Sequence, residues 1–198
     1  MANEKKGTLD RREVVETMLD RRGDALVVTG LGSSCYDCGV HDHPNTFYLW
    51  GAMGAAAMVG LGLALAQPAR RVVVITGDGE MLMGLGSLAT IGAHKPKNLA
   101  IVVIDNELYS ETGMQPTHTA RGVSLGAMAK GAGFGVAETI YTDAELERGL
   151  GALYETPGPV FLDIKVNNQR YPMSIRMRDG AHIKNRFREN LLGQKAFD

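Results

Sequence analysis

The sequence predicts an α/β protein with a doubly wound parallel sheet and helices on both faces. Two short apolar runs rich in Val and Ile, over residues 72–75 and 99–104, are typical of strands buried in a parallel sheet. The segment between them is long enough for the crossover helix that parallel strands require. Because helical and extended patterns alternate along the rest of the chain, we expect one domain over residues 1–198.

The remaining elements are predicted from capping residues and from apolar periodicity. Asp10, followed by Glu13, is a helix-capping pattern. Before the paired apolar runs we expect, in chain order, a helix from Asp10 to about residue 22, a strand over residues 25–29, an irregular loop over residues 31–45 and a buried helix from about residue 52. From the runs onward we expect a βαβ unit over residues 71–106 with its helix over 81–93, a helix over 124–131, a strand over 134–138, a helix over 143–155, a strand over 160–166 and a last helix from about residue 179.

Composition and charge argue against some classes of function. A net charge of −1 and a pI near 6.5 give no electrostatic reason to expect a nucleic-acid partner. The amino terminus is charged and is not followed by the apolar core of a signal peptide, so we expect a cytoplasmic protein. The long apolar run over residues 51–66 is too short to span a bilayer, so no membrane partner is expected.

Polar side chains follow both paired strands at the point where each strand ends. Asp78 follows the first run and Asn106 follows the second. Neighbouring parallel strands lie about 4.8 Å apart and end at the same edge of a sheet, so these side chains are expected to converge. Their oxygens suit Mg²⁺, while Gly77 and Gly79 allow a close backbone approach and the next helix presents N–H groups to an anion. The expected ligand is a diphosphate with Mg²⁺.

These residues resemble the diphosphate-binding domain of thiamine diphosphate enzymes. That family carries Gly-Asp-Gly and, just under thirty residues later, Asn, which matches the spacing of Asp78 and Asn106. The resemblance covers about residues 25–166 and is strongest to the decarboxylases of sulfopyruvate and phosphonopyruvate. It is carried by three segments: Gly-Asp-Gly-Glu-Met-Leu-Met-Gly-Leu-Gly-Ser-Leu-Ala-Thr-Ile from Gly77, Pro-Lys-Asn-Leu from Pro96, and Asp-Asn-Glu-Leu-Tyr-Ser-Glu-Thr-Gly-Met-Gln-Pro-Thr from Asp105.

The resemblance implies a thiamine diphosphate-binding fold, thiamine diphosphate and Mg²⁺ as cofactors, and a role for each site residue. Asp78, Asn106 and the Leu108 carbonyl would hold the metal. The Gly51 carbonyl would accept a hydrogen bond from the 4′-amino group, and Met53 would lie beneath the cofactor and force its bent conformation. The full set of implied cofactor-binding residues is Gly51, Met53, Gly77, Asp78, Gly79, Glu80, Met81, Asn106, Leu108, Tyr109, Ser110 and Thr112. Gly51 and Met53 are the implied catalytic residues.

Glu80 departs from the family pattern. Close relatives usually have a small residue directly after Gly-Asp-Gly, whereas an acid at this helix start would repel a diphosphate unless its side chain points away. A carboxylate near a helix amino terminus also has an ordinary explanation, because it complements the helix dipole.

The resemblance also implies a partner and a substrate. In this enzyme class the activating glutamate lies in a second α/β domain, so we expect a separate subunit to supply it in a hetero-oligomer. The implied reaction is decarboxylation of a small anionic 2-oxo acid, sulfopyruvate giving sulfoacetaldehyde, with Gln115, His118 and Arg121 as candidate donors to the anionic group. The alternatives are a carboligase related to acetolactate synthase and a non-catalytic subunit that binds a phosphate or a nucleotide.

The loop over residues 31–45 contains a second pattern of reactive residue types. Cys35 and Cys38 are followed closely by His41 and His43. Two sulfurs and two imidazoles are the ligands of tetrahedral zinc, but this spacing departs from common zinc sites. A redox pair should lead directly into a helix, and the residues after Cys38 are poor helix formers. A metal site, a redox pair and ordinary loop residues all remain open.

Overall fold

The computed structural model describes residues 7–175 and 178–196, so the amino-terminal residues 1–6 used in the prediction of location lie outside it. Its centre is a six-stranded parallel sheet in the order β2-β1-β3-β4-β8-β7. The strands of this sheet are β1 (Leu26–Thr29), β2 (Thr46–Tyr48), β3 (Val72–Gly77), β4 (Leu99–Asp105), β7 (Val136–Ile140) and β8 (Val160–Lys165). A small antiparallel pair joins β5 (Leu108–Tyr109) to β6 (Gln115–Pro116).

Helices cover both faces of the sheet, which confirms the predicted doubly wound α/β class. The α-helices are α1 (Arg11–Asp20), α2 (Ser33–Val40), α3 (Ala56–Ala66), α4 (Asp78–Met83), α5 (Ser87–His94), α6 (Leu125–Gly131), α7 (Asp143–Glu155) and α8 (Gly180–Leu192). One face packs against α1, α2 and α7, and the other against α3, α4, α5 and α6. In the central strands, successive residues point to opposite faces and both faces are buried, which explains their continuous apolar sequence.

The paired apolar runs form the predicted βαβ unit. β3 pairs in parallel with β4, and Gly77 lies opposite Ile104 in the register. The prediction of one crossover helix over residues 81–93 was wrong, because two helices, α4 and α5, replace it. Gly84 separates them: a side chain there would collide with the Gly54 carbonyl, so the close approach of that loop and the low helix propensity of glycine favour the break.

The prediction of an irregular loop over residues 31–45 was also wrong, because α2 occupies much of it. Tertiary contacts outweigh the poor local helix propensity. Cys35 and Cys38 are fully buried against the sheet, and the Asp37 carboxylate pairs with two arginines of α1. The three-residue edge strand β2, also missed, follows α2 and is covered by α8, where the rings of Phe47 and Phe187 lie 5.5 Å apart.

The apolar helix α3, predicted as a buried helix from about residue 52, begins at Ala56 and is buried on one face only. Ala57, Gly60 and Leu61 pack towards the sheet, whereas Met58 and Leu65 are 42% and 52% exposed. A helix that is apolar all round but half exposed leaves an apolar surface uncovered.

The other elements agree more closely with prediction. Asp10 caps α1, since its side chain accepts hydrogen bonds from the backbone N–H groups of Arg12 and Glu13. The strand expected over residues 134–138 is β7, displaced towards the carboxyl terminus. Over residues 7–175 and 178–196, no helix is both long enough and apolar enough to cross a membrane.

Candidate active site

A cleft of about 700 Å³, counting its open mouth, lies at the carboxyl ends of β1, β3 and β4. Nearly all of the predicted cofactor-binding residues line it: Met53, Gly77, Asp78, Gly79, Glu80, Asn106, Leu108, Tyr109, Ser110 and Thr112. Asp78 and Asn106 therefore face one space, as expected from neighbouring parallel strands. This is also the edge at which open α/β sheets bind their ligands.

Asp78 is the first residue of α4 and is only 2% exposed. Burial raises the pKa of its carboxyl group to about 7, and the nearby charge of Asp105 adds to the rise, whereas a hydrogen bond from Thr117 opposes it. Thr117 donates to Asp78 Oδ2 over 2.6 Å, and Thr119 reaches the same oxygen over 3.3 Å. Asp78 makes no ion pair with a cationic side chain of the described residues, so a cation in the cleft would stabilise its ionised form.

A buried row of polar side chains continues from Asp78 behind the cleft. The Thr117 and Thr119 hydroxyls lie 2.9 Å apart, and Thr119 donates to Asp105 Oδ1 over 2.9 Å. Lys165 Nζ lies 2.7 Å from Asp105 Oδ2 and 3.0 Å from Glu107 Oε1. Sequence reasoning missed this row, although Asp105 and Lys165 end neighbouring buried strands and give the same type of signal as Asp78 and Asn106.

Asn106 anchors the loop that forms the other wall of the cleft. Its side-chain amide donates to Ser110 Oγ over 2.8 Å, and its Oδ1 accepts from the Leu108 N–H over 3.2 Å. Tyr109, from the same loop, packs over Gly79 so closely that a Cβ on Gly79 would lie 2.6 Å from Tyr109 Cδ1. The glycine is therefore required for this wall to approach the helix start.

Glu80 is held by the protein and does not project freely from α4. Its Oε2 accepts from Thr76 Oγ1 over 2.7 Å and from the Leu31 N–H over 3.0 Å. Burial raises the pKa of Glu80, and these two hydrogen bonds oppose the rise. The carboxylate is thus tied to the ends of β1 and β3, but the residue still lines the cleft and contributes to its negative charge.

The other predicted residues differ in position. Met53 lines the cleft and is 40% exposed, so its side chain is accessible to a ligand bound there. Gly51 is exposed and is not among the described residues that line the cleft, and Met81 is buried in the core with its side chain among the helices of one face. The roles of Gly51 and Met81 stay predictions.

The predicted donors to the substrate are not brought into the cleft. Gln115, His118 and Arg121 are exposed, and none is among the described lining residues. The structure instead adds residues that sequence reasoning did not name, Arg11 from α1 and Leu31, Gly32, Ser33 and Ser34 at the start of α2. Their position depends on α2, which sequence analysis had interpreted as a loop.

The four Cys and His residues do not converge on a metal. Cys35 and Cys38 lie buried on α2, and burial raises the pKa of both thiols, that of Cys35 to about 12. His41 Nε2 lies 3.6 Å from Glu16 Oε1, and His43 Nδ1 accepts from the Asn45 N–H. Within the described part of the chain, no three His, Cys, Asp or Glu side chains are grouped to hold a metal ion. Thiols of this kind are poor nucleophiles.

The doubly wound sheet, with a buried carboxylate and a glycine turn at its strand ends, has the features of α/β proteins that bind phosphate groups at this edge. Residues 32–164 match the family model described as "Thiamine pyrophosphate enzyme, C-terminal TPP binding domain". The chain belongs to this family of thiamine pyrophosphate enzymes, which confirms the resemblance found in the sequence.

Curated relatives share much of the chain. Sulfopyruvate decarboxylase subunit beta of Methanothermobacter thermautotrophicus is 39% identical over 93% of this chain and 97% of that protein. The protein of the same name from Methanocaldococcus jannaschii is 40% identical over 68% of this chain and 70% of that protein. Phosphonopyruvate decarboxylase of Streptomyces viridochromogenes is 42% identical over 72% of this chain but only 36% of that protein.

A solved structure shares the fold. It comes from Mycobacterium smegmatis and is described as "a putative thiamin diphosphate-dependent enzyme". It superposes with a TM-score of 0.70 at 24% identity over 85% of this chain and 35% of that chain.

The residues in the cleft fit thiamine diphosphate and Mg²⁺. The buried Asp78 carboxylate has hydroxyl donors but no cationic partner among the described residues, which suits a divalent ion. Around Gly77 a Cβ would meet open space, so the strand end has room for a ligand against the backbone. Asn106 and Leu108 lie on the facing wall, and side-chain amides and backbone carbonyls are neutral oxygen ligands of the kind that bind divalent ions.

Proposed function

We propose that this chain is a subunit of a thiamine diphosphate- and Mg²⁺-dependent 2-oxo acid decarboxylase that converts sulfopyruvate to sulfoacetaldehyde and CO₂. The observation that carries the proposal is the buried Asp78 carboxylate facing Asn106 across a cleft that also contains Met53. The relatives named as sulfopyruvate decarboxylase subunit beta, aligned over most of their length, support the reaction and its substrate. A single diphosphate-binding domain over residues 1–198 and a cytoplasmic location stay part of the proposal.

Different residues of the chain would bind the metal ion and the diphosphate of the cofactor. Asp78, Asn106 and the Leu108 carbonyl would bind Mg²⁺, and the Gly77-Asp78-Gly79 turn would present backbone N–H groups to the diphosphate. Ser110 and Thr112, on the loop after Asn106, would donate to the phosphates. When bound, thiamine diphosphate supplies the nucleophilic carbon and the electron sink for decarboxylation.

The other residues of the site position the cofactor ring and limit access of water. Met53 would support the ring from below, and its partial exposure leaves room for that contact. The Gly51 carbonyl would accept from the 4′-amino group. Tyr109, packed over Gly79, closes the wall of the cleft beside the phosphates.

A partner subunit is part of the proposal. The uncovered apolar surface around the cleft mouth, defined by Trp50, Met53, Met58 and Met83, has exposed fractions from 38% to 68%. Met83 lies against the loop that carries Met53, since a Cβ on Gly54 would lie 3.3 Å from Met83 Cγ. A pyrimidine-binding subunit that covers this surface would bring the activating glutamate to the cofactor, giving a hetero-oligomer.

The metal site is tested by Asp78→Asn. The control is Asp143→Asn, which also removes one carboxylate, but from an exposed position on α7. Binding of thiamine diphosphate with Mg²⁺ is measured by titration calorimetry on the protein purified with its co-purifying subunit. We expect Asp78→Asn to abolish binding without lowering the Tm of the cofactor-free protein, since a neutral amide is less costly to bury than a carboxylate. Unchanged affinity of Asp78→Asn would rule out this metal site.

The substrate is tested by comparing the kcat/KM values of the same complex for sulfopyruvate, phosphonopyruvate, pyruvate and benzoylformate. We expect an anionic side chain to be preferred, because a desolvated sulfonate gains charge-assisted hydrogen bonds worth about 1.5–3 kcal/mol each. A preference for pyruvate with formation of acetolactate would show that the protein is a carboligase and not a decarboxylase of sulfopyruvate. A preference for uncharged side chains without carboligation would replace sulfopyruvate by another 2-oxo acid.

A further inference from the structure

Arg11 brings a buried positive charge to the cleft. It is the first residue of α1, is only 6% exposed and is one of the residues that line the cleft. Its Nε lies 2.6 Å from Asp37 Oδ2. Its terminal nitrogens, Nη1 and Nη2, make no hydrogen bond to any of the described residues. A guanidinium has five N–H donors, so most of the donor capacity of Arg11 is unused.

The charge of Arg11 is not fully compensated. Asp37 is shared, because Arg12 Nε also lies 3.0 Å from Asp37 Oδ1. Both guanidiniums lie over the ring of Tyr171, that of Arg12 at 4.2 Å and that of Arg11 at 5.4 Å from its centroid, and Arg12 Nη2 also donates to the Pro172 carbonyl over 3.1 Å. Two guanidiniums on one carboxylate leave a surplus positive charge, and of the two arginines only Arg11 lines the cleft.

The amino terminus of α2 also lines the cleft. Gly32 precedes the helix with a φ of 71°, and no side chain caps the first turn. Gly32, Ser33 and Ser34 are all cleft-lining residues. The first N–H groups of a helix have no partners within the helix, so they add a second set of donors for an anion beside Arg11.

A positive charge in the cleft would offset the negative charge of its other lining residues. Its described lining residues include three carboxylates, Asp78, Glu80 and Glu111, and Arg11 is the one cation among them. One Mg²⁺ at Asp78 would leave the diphosphate under-neutralised next to Glu80, the acid that departs from the family pattern. Arg11 offsets that excess of negative charge from inside the protein, where the interaction is screened less than at the surface.

We propose that Arg11, beside the amino terminus of α2, donates from its guanidinium to the diphosphate of thiamine diphosphate in this cleft. This inference rests on the proposed function only through the cofactor and holds for any substrate. Arg11 lies outside residues 32–164, the segment that the family model matches, so the assignment comes from the structure alone.

The test compares Arg11→Met with Arg12→Met in the protein purified with its co-purifying subunit. Each variant removes one positive charge and one partner of Asp37, so Arg12→Met controls for the weakened contact between α1 and α2. Calorimetry with Mg²⁺–pyrophosphate and with Mg²⁺–thiamine diphosphate is expected to show roughly a 10- to 150-fold weaker affinity for Arg11→Met, the loss typical of a charge-assisted hydrogen bond. Arg12→Met should stay within about threefold of the wild type, and Arg11→Lys should recover part of the loss.

Three results would overturn the inference. Unchanged pyrophosphate affinity in Arg11→Met means that no phosphate contacts this residue. Equal losses in both variants mean that Arg11 acts only through Asp37 and the fold. A raised KM for sulfopyruvate at saturating cofactor, with pyrophosphate affinity unchanged, assigns the oxyanion to the substrate instead.

These outcomes are distinct from a failure of the proposed function. A wild-type complex that binds thiamine diphosphate but decarboxylates no 2-oxo acid contradicts the proposed reaction. In that case the difference between the two arginine variants in pyrophosphate binding still stands.

Discussion

At the residue scale, two threonines determine how the metal-site carboxylate is presented. Thr117 and Thr119 both contact the same oxygen of Asp78, Oδ2, and the Thr119 hydroxyl also donates to Asp105 Oδ1. Asp105 is in turn held by Lys165. Burial alone would lower the pKa of Lys165, but the negative charge of Asp105 raises it. This arrangement fixes the Asp78 side chain from behind, as outer groups commonly do for metal ligands.

Removing the hydroxyl of Thr117 should weaken metal and cofactor binding while keeping the volume of the side chain. We expect Thr117→Val to lower the affinity for Mg²⁺–thiamine diphosphate by roughly 10- to 100-fold, as is common for outer-shell partners. Thr117→Ser should restore most of it. Calorimetry measures the affinity, and circular dichroism checks that the fold is kept. Equal affinity of Thr117→Val and the wild type would contradict this positioning role.

Some residues of the candidate site could be predicted from sequence alone and others could not. Asp78 and Asn106 were predictable because each follows a long buried strand, and strand ends in a parallel sheet meet at one edge. Thr117 and Arg11 were not, because one is placed by a short antiparallel pair and the other by the packing of α1 against α2. No local pattern in the sequence carries that information.

At the element scale, α3 shows how closely a helix and the sheet can approach. A Cβ on Gly60 would collide with the side chain of Val74 on β3, whereas a Cβ on Gly62 would meet open space. Both glycines lie within the same helix, so each loses a similar amount of backbone conformational entropy on folding. Only Gly60 has a packing reason to be glycine.

These two glycines form a matched pair for a stability measurement. Gly60→Ala should lower the free energy of unfolding by about 1–3 kcal/mol, because an extra methyl overpacks the helix against β3. Gly62→Ala should raise it by about 0.5–1 kcal/mol through its helix propensity. Urea unfolding of the purified chain measures both. The same sign for both variants would contradict the packing described here.

The helices that sequence analysis missed or merged depend on contacts far away in sequence. β3 and β4 are continuous apolar runs that only a doubly covered sheet explains. α2 is stabilised mainly by contacts far away in sequence, through Asp37 with Arg11 and Arg12, and its own residues are weak helix formers. The break between α4 and α5 likewise depends on the loop around Gly54, which no periodicity in either helix reveals.

At the scale of the whole molecule, the uncovered apolar surface around the cleft mouth indicates that the chain functions with a partner. Buried and exposed sides of α3 are both apolar, so packing within the chain does not account for its composition. Subunit beta in the names of relatives is consistent with a second subunit. We expect the purified chain alone to have no decarboxylase activity, because the proposed function assigns the activating glutamate to a second subunit. Robust activity of the verified single chain would contradict this.

The interface itself is tested with Met83→Glu and a control, Met173→Glu. The two methionines are similarly exposed, 68% and 61%, but only Met83 belongs to the uncovered surface around the cleft mouth. We expect Met83→Glu to reduce co-purification of the second subunit and the mass measured by light scattering, because a carboxylate would be desolvated in the interface. Met173→Glu should assemble normally. Equal assembly of both variants would place the interface elsewhere.

The last residue of β4, Asp105, and the residue that follows it, Asn106, must occur in this order. Asp105 turns away from the cleft to Thr119 and Lys165, and Asn106, the next residue, turns into it. Successive side chains of an extended chain point in opposite directions, so inserting or deleting one residue within β4 would exchange the two. The carboxylate would then enter the cleft beside Asp78, and Lys165 would lose its ion pair with Asp105. Length variation in this family should therefore be absorbed in the loops around β4 and not in the strand itself.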